Sequence, residues 1–145
     1  MNIFDNMGGF KSAGFVLLKG VESFVSFGGK CSLTLHNHFQ WQDFPAKQEG
    51  ITIKVEAVPS EAGTTYAVKG SIICKRSDGL DILKLAGYIL MRYQTVDGIW
   101  RVAGTKDYPL SVTVNPVTPT KPSGFYGTEV VFEGNQLIEP PVLML

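Results

Sequence analysis

Alternation of apolar and polar residues is the main regularity of this 145-residue chain. It is clearest at Ile51–Ala57, where Ile, Ile, Val and Ala alternate with Thr, Lys and Glu. A period of two places one side of a strand in the core and the other in solvent. Residues 66–74 show the same period, broken at Ile73, and Gly70 within them predicts a bulge or a close backbone approach. Together the two runs predict a long β-hairpin.

A second hairpin is predicted where Tyr88–Gln94 and Ile99–Ala103 flank Asp97-Gly98. An Asp-Gly pair readily adopts the positive φ angles that tight hairpin turns require, and both flanks are rich in strand-forming residues. Shorter apolar runs predict further strands at Phe15–Lys19, from Leu33 towards Trp41, at Leu110–Val114 and at Gly127–Glu133.

One short α-helix is predicted near residues 78–86. Asp78 is a suitable N-cap, four apolar residues follow it at positions 80, 82, 83 and 85, and Gly87 is placed to end the helix. With this single exception the elements are strands. The pattern therefore predicts a mainly β fold, an antiparallel β-sandwich or partly open barrel of seven or eight strands.

The length is that of one domain, and we expect residues 1–145 to form one. The Gly-rich start predicts a flexible arm over about residues 1–12. Three prolines predict an extended connector over about residues 115–123, because proline lacks the N–H group that a sheet ladder uses.

Charge and composition argue against several classes of protein. The 13 basic residues balance 13 acidic ones, whereas proteins that bind nucleic acid usually carry a basic excess. No apolar stretch approaches the length of a membrane span, and no basic segment precedes an apolar one as in a signal peptide. We therefore expect a cytoplasmic protein that binds neither nucleic acid nor membrane. Free thiols are the expected state of Cys31 and Cys74 in that compartment, and a disulfide between the two is the alternative.

The clearest candidate for metal chemistry is the pair His36 and His38. Two residues at i and i+2 share one face of a strand, so they form a weak candidate for a two-ligand metal site. A catalytic zinc needs a third protein ligand, and Asp43 is the nearest acidic residue. A polar strand face is the favoured interpretation. Cys74 lies on an apolar strand face and is not favoured as a nucleophile, so we expect no catalytic residue, no cofactor and no enzymatic activity.

Two other groups of residues suggest binding. Trp41 and Trp100 could form a stacking platform for a ligand, although core packing explains most aromatics in strand-like runs. Apolar residues at the two ends must either pack into the chain's own core or contact a neighbouring subunit. These assembly candidates are Ile3, Phe4, Phe10, Val142, Leu143 and Leu145.

The stretch Gly87–Leu110, with its Asp97-Gly98 turn and Tyr108-Pro109-Leu110, resembles small uncharacterised β-rich proteins encoded in phage and prophage structural modules. Residues 126–134 and Pro140-Pro141 extend the likeness. The resemblance implies a non-enzymatic tail-tube or tail-accessory subunit that self-associates in rings or joins other tail or virion proteins. Such a subunit is cytoplasmic before assembly into a virion-like particle.

Two other functions stay open. One is a carbohydrate- or small-ligand-binding β-sandwich that uses Trp41 and Trp100. The other is a metal-dependent hydrolase built on His36 and His38.

Overall fold

A computed structural model describes residues 10–44, 46–75, 87–117 and 127–144. Within them the protein is mainly β, as predicted. Eleven strands form one open mixed sheet, so the predicted sandwich or barrel of seven or eight strands is not confirmed. The sheet is not wholly antiparallel, because its last strand runs parallel to a neighbour. Two of the strands are only two residues long, too short to produce an alternation, and they account for part of the difference from the expected seven or eight.

Most of the strands are joined by short connections. They are β1 (Phe10–Leu17), β2 (Val21–Phe27), β3 (Lys30–Leu35), β4 (Gln42–Asp43), β5 (Ala46–Ser60), β6 (Gly63–Lys75), β7 (Gly87–Thr95), β8 (Trp100–Ala103), β9 (Leu110–Val117), β10 (Gly127–Gln136) and β11 (Val142–Leu143). A 3-10 turn at Leu18–Gly20 joins β1 to β2. The order of hydrogen-bonded neighbours across the sheet is β2-β3-β11-β8-β7-β9-β10-β6-β5. β1 and β4 lie outside this order: β1 pairs with β7 and with β4.

Both predicted hairpins are present. In β5–β6, Ile53 pairs with Gly70, and a Cβ at Gly70 would lie 2.2 Å from the Thr52 carbonyl oxygen, so glycine allows the predicted close approach. In β7–β8, Gln94 pairs with Trp100. Gly98 adopts φ 87°, but Asp97 does not adopt a positive φ. The sequence suggested a positive φ at both residues of the Asp97-Gly98 pair.

The central strand β7 separates two hydrophobic cores. Ile89, Met91 and Tyr93 point into the first, and Leu90 points into the second. The first core lies between the β1–β7 region and the β5–β6–β10 region. Its buried residues include Phe15, Phe44, Ile51, Ile72, Leu110, Val130 and Phe132, whereas the second unites Val16, Val21, Cys31, Leu90, Val102 and Leu143. Burial on both faces explains the continuous apolar run in β7.

The two ends of the chain pack back onto the protein where they are described. Phe10 to Ser12, assigned to a flexible arm from the sequence, belong to β1, and the Phe10 ring meets Tyr93 edge-on at 5.7 Å between centroids. Leu143 is buried in the second core, and Val142 is half-buried. Ile3, Phe4 and Leu145 lie outside the described residues, as does the predicted helix at 78–86.

The predicted connector is only partly described. Residues 115–117 continue β9 and pair with β10, Pro116 opposite Thr128, and residues 118–123 lie outside the described ranges. Pro116 fits this strand because the pairing of β9 with β7 extends only from Leu110 to Val112, which leaves the other side of β9 without a strand in the described sheet. No helix among the described residues is long and apolar enough to cross a membrane.

Candidate functional site

The two tryptophans proposed as a platform come together around an arginine. The Arg92 guanidinium carbon lies 4.7 Å from the centre of the Trp100 ring and 5.3 Å from that of Trp41. A guanidinium over an indole face is attracted by the negative charge on that face. Both indoles are half-buried and also pack against the second core.

Three strands position this cluster. Arg92 of β7 pairs with Gly14 of β1 on one side and with Val102 of β8 on the other. Gly14 has no side chain, and a Cβ there would lie 2.8 Å from the Gln42 carbonyl oxygen. The glycine therefore lets the segment that carries Trp41 and Gln42 approach β1 closely.

The charge of Arg92 has one acidic partner among the described residues. Its Nη2 atom lies 3.3 Å from Oδ1 of Asp43, whose side chain is 66% exposed, so this ion pair contributes little to stability. The Nε–H group is buried without an acceptor in the described part of the chain. One face of each indole is covered by the guanidinium, so the cluster acts as a packed cation–π unit more than as an open stacking platform.

The histidines do not form the predicted pair on a strand face. β3 ends at Leu35, His36 and His38 are exposed in the turn that follows, and His38 adopts φ 72°. The inference that they share a face is therefore wrong, because the chain bends between them. Within the described ranges no three His, Cys, Asp or Glu residues are grouped to hold a metal ion.

Cys31 is buried in the second core, and burial raises the pKa of its thiol to about 11. The thiol is therefore protonated at neutral pH, and a protonated thiol is a poor nucleophile. The side chain of Cys74 lies outside the described residues.

A different surface, which the sequence did not single out, is more open. It is a groove of about 410 Å³ whose lining includes Phe27, Tyr66, Leu137, Ile138 and Pro141. We call it the Phe27 groove. Phe27 is 88% exposed and Leu137 57% exposed, unusual values for large apolar side chains. The one local signal was the Phe27-Gly28-Gly29 sequence, which places an aromatic ring beside a hairpin turn where few neighbours can cover it.

The two ends of the sheet path are a second open feature. β2 pairs only with β3 and β5 only with β6 within the described sheet. On β2, Val25 is 62% exposed. On β5, Val55 and Val58 are exposed.

The hairpin that contains β5 also extends past its neighbour. β10 pairs with β6 from Lys75 to Tyr66, so residues 58–65 form a two-stranded projection that we call the β5–β6 arm.

Comparison with known proteins yields no relative. No family model matches this chain, and no curated protein or solved structure matches it. The resemblance to phage structural proteins therefore stays a prediction, and the function must be argued from the surfaces described above.

Proposed function

We propose that this protein is a non-enzymatic structural subunit that self-associates, as a subunit of a phage tail-like assembly does. The observation that supports it best is a pair of unlike edges at the two ends of one open sheet, each with exposed apolar side chains. Edge β2 carries Val25 and Phe27, and edge β5 carries Val55 and Val58, all exposed.

A free sheet edge presents unpaired N–H and C=O groups that can add another strand. Soluble proteins usually protect such edges with charges, proline or a covering segment. On β2, Glu22 is exposed and its carbonyl accepts a hydrogen bond from Lys106 Nζ at 2.6 Å, whereas the exposed side chains from Val25 to Phe27 are two apolar residues and a serine. On β5, Lys54, Glu56 and Pro59 give partial protection. The Val25–Phe27 end of β2 is therefore the less protected part of this edge, and it is suited to pairing with another chain.

The two edges differ in sequence and length, so a contact between them joins unlike surfaces of two copies. Pairing of β2 of one copy with β5 of the next is a head-to-tail contact, and head-to-tail contacts produce a closed ring or an open filament. A ring is the architecture that the phage resemblance implies, so the edges and the resemblance support the same proposal.

The oligomeric state of the full chain tests this proposal. We expect sedimentation velocity and light scattering to show an oligomer whose mass increases with concentration. Val25→Lys places a charge on the β2 edge and should shift the protein to the monomer. Val96→Lys is the matched control, because it makes the same change at an exposed valine in the β7–β8 turn. A full-length protein that stays monomeric at high concentration would refute the proposal.

Ligand binding by Trp41 and Trp100 is less well supported. Arg92 covers one face of each ring, and the second core covers part of the rest. A sugar ring needs an open aromatic face on which to stack.

A further inference from the structure

We propose that a pocket at the open end of the first core binds a small zwitterion, an α-amino acid with an apolar side chain. This inference is independent of the proposed self-association. The pocket has a volume of about 280 Å³, and we call it the Arg101 pocket. That volume lies just below the ~300–1,000 Å³ of pockets that hold drug-sized ligands, so the pocket suits a smaller molecule.

Half of the residues that line the Arg101 pocket are apolar. Ile53 and Val55 lie two residues apart on β5 and therefore share one face of that strand. Phe10 of β1 and Pro140 line it as well. Phe10 and Ile53 also pack against the first core, so this apolar surface continues the core outward, and Val55 remains 38% exposed. An apolar group in the pocket would cover these side chains, which is favourable in proportion to the area buried.

Two opposite charges face this apolar surface. Arg101 of β8 pairs with Tyr93 of β7, and directly opposed residues of an antiparallel pair project from the same face of the sheet. The Arg101 Nη1 atom donates to the Pro140 carbonyl at 3.0 Å, which orients the guanidinium at the pocket. Glu139 also lines the pocket, and among the described residues it forms no ion pair with Arg101. Both charges are therefore available to a ligand.

The Tyr93 hydroxyl lies within the influence of both charges. Burial raises the pKa of Tyr93 to about 12, while Arg101 acts to lower it and Glu139 to raise it. An effect of both charges on one hydroxyl means that the three polar groups lie near one another. The hydroxyl is protonated at neutral pH, so it can donate to a carboxylate or accept from an ammonium group. The Thr95 hydroxyl, in contrast, already donates to Asp97.

These groups together identify the class of ligand. A guanidinium binds a carboxylate through two parallel hydrogen bonds, and the Glu139 carboxylate attracts an ammonium group. Glu139 would repel a simple carboxylate and Arg101 would repel a simple amine. A zwitterion satisfies both residues. An α-amino acid carries a carboxylate, an ammonium group and a side chain on one carbon atom, so an apolar amino acid complements the charges and the apolar surface at once.

Isothermal titration calorimetry of the full-length protein with L-leucine tests this proposal. N-acetyl-L-leucine lacks the ammonium group, L-leucinamide lacks the carboxylate, and glycine lacks the side chain. We expect saturable binding of leucine at one site, and affinities at least about tenfold lower for the three analogues, because each loses a charged hydrogen bond or the apolar contact. No saturable binding of leucine would overturn the proposal. An N-acetyl-leucine affinity equal to that of leucine would overturn the assignment to a zwitterion.

Charge-removing variants test whether this pocket is the site. Arg101→Met should weaken leucine binding by at least about tenfold. Glu139→Gln should weaken it less, because Glu139 is exposed and water screens its charge. Lys69→Met and Glu133→Gln are the matched controls, since both residues are exposed and lie outside the pocket.

Thermal unfolding shows whether each variant is folded before it is titrated. Arg101→Met also removes the hydrogen bond to the Pro140 carbonyl. If that variant does not fold, the comparison of Glu139→Gln with Glu133→Gln decides the outcome. Leucine affinities that are equal in each pocket variant and its control would overturn the assignment of the site to this pocket.

Discussion

The central strand β7 and the β5–β6 arm have opposite surroundings. Ile89, Leu90 and Met91 are completely buried between two cores, whereas Val58 and its neighbours in the arm are exposed. The difference lies in the neighbouring strands: β7 pairs with β1, β8 and β9, and the arm has only its own hairpin partner in the described sheet. Where a strand lacks neighbours within the chain, its apolar residues can contact another chain.

The largest difference in the free energy of unfolding is expected between a substitution in the first core and one in the arm. Phe132→Ala empties space in the first core, where Phe132 is completely buried, and should lower the free energy of unfolding by about 3–5 kcal/mol. Val58→Ala in the arm should change it by less than about 0.5 kcal/mol. Urea unfolding at low protein concentration measures both values. Similar losses for the two variants would contradict the distinction between covered and projecting strands.

An intermediate effect is expected at Gln136 of β10, which pairs with Tyr66 at the base of the β5–β6 arm. Gln136 is buried at the end of β10, where its Oε1 atom accepts the Gly104 N–H at 2.8 Å and its Nε2 group donates to the Ile138 carbonyl at 2.8 Å. Gln136→Leu leaves the Gly104 N–H without its acceptor, which should cost about 1–3 kcal/mol.

Asn135→Leu is the control for this position, because Asn135 is the exposed neighbour on the same strand. Thermal unfolding should show a large decrease in Tm for Gln136→Leu and a small change for Asn135→Leu. Equal decreases would mean that strand propensity, and not the buried hydrogen bonds, determines the loss.

The smallest changes in Tm are expected for substitutions in the β7–β8 turn and in the turn of the β5–β6 arm. The Thr95 hydroxyl and the Ile99 N–H donate to the Asp97 carboxylate and hold the pKa of this exposed group below its ordinary value. A lowered pKa in the folded state means that the carboxylate stabilises the fold above its unfolded pKa of about 4 and loses that effect as the pH falls through the folded pKa. Asp97→Asn should therefore lower Tm slightly at pH 7, with a difference that shrinks below pH ~4.

Ser60→Ala is the comparison for that measurement in the arm. The Ser60 hydroxyl donates to the Gly63 carbonyl at 2.7 Å, and this bond involves no titrating group. Its loss should lower Tm by a small amount that is the same at pH 7 and pH 3. A pH-dependent difference for Ser60→Ala, or a constant one for Asp97→Asn, would contradict the assignment.

Local patterns predicted the hairpins because their determinants are close in sequence. The alternation in Ile51–Ala57 reflects burial on one face, and Asp97-Gly98 supplies a glycine with positive φ at the turn. The end of β3 was not predictable in this way. The Phe39 ring packs against Gly20, where a Cβ would lie 2.3 Å from it, so a distant residue bends the chain at His36–His38.

The candidate sites depend still more on distant residues. Nothing in the spacing of Trp41, Arg92 and Trp100 indicates that a guanidinium lies over both indoles, because β1, β7 and β8 must first pair to bring them together. The Phe27 groove likewise unites a turn after β2, a residue of β6 and the segment after β10. The apolar tail was recognised as a candidate contact, but its burial between β3 and β8 required the folded sheet.

The two-residue strand β11 also has a consequence for the order of folding. In the sheet it joins the β2–β3 hairpin to β8, and it brings Leu143 beside Cys31, more than a hundred residues earlier in the sequence. Contacts between such distant residues close large loops and form slowly, whereas the β2–β3 and β5–β6 hairpins need only local contacts. We therefore expect the pairing of β3 with β11 to form later than the β2–β3 hairpin itself.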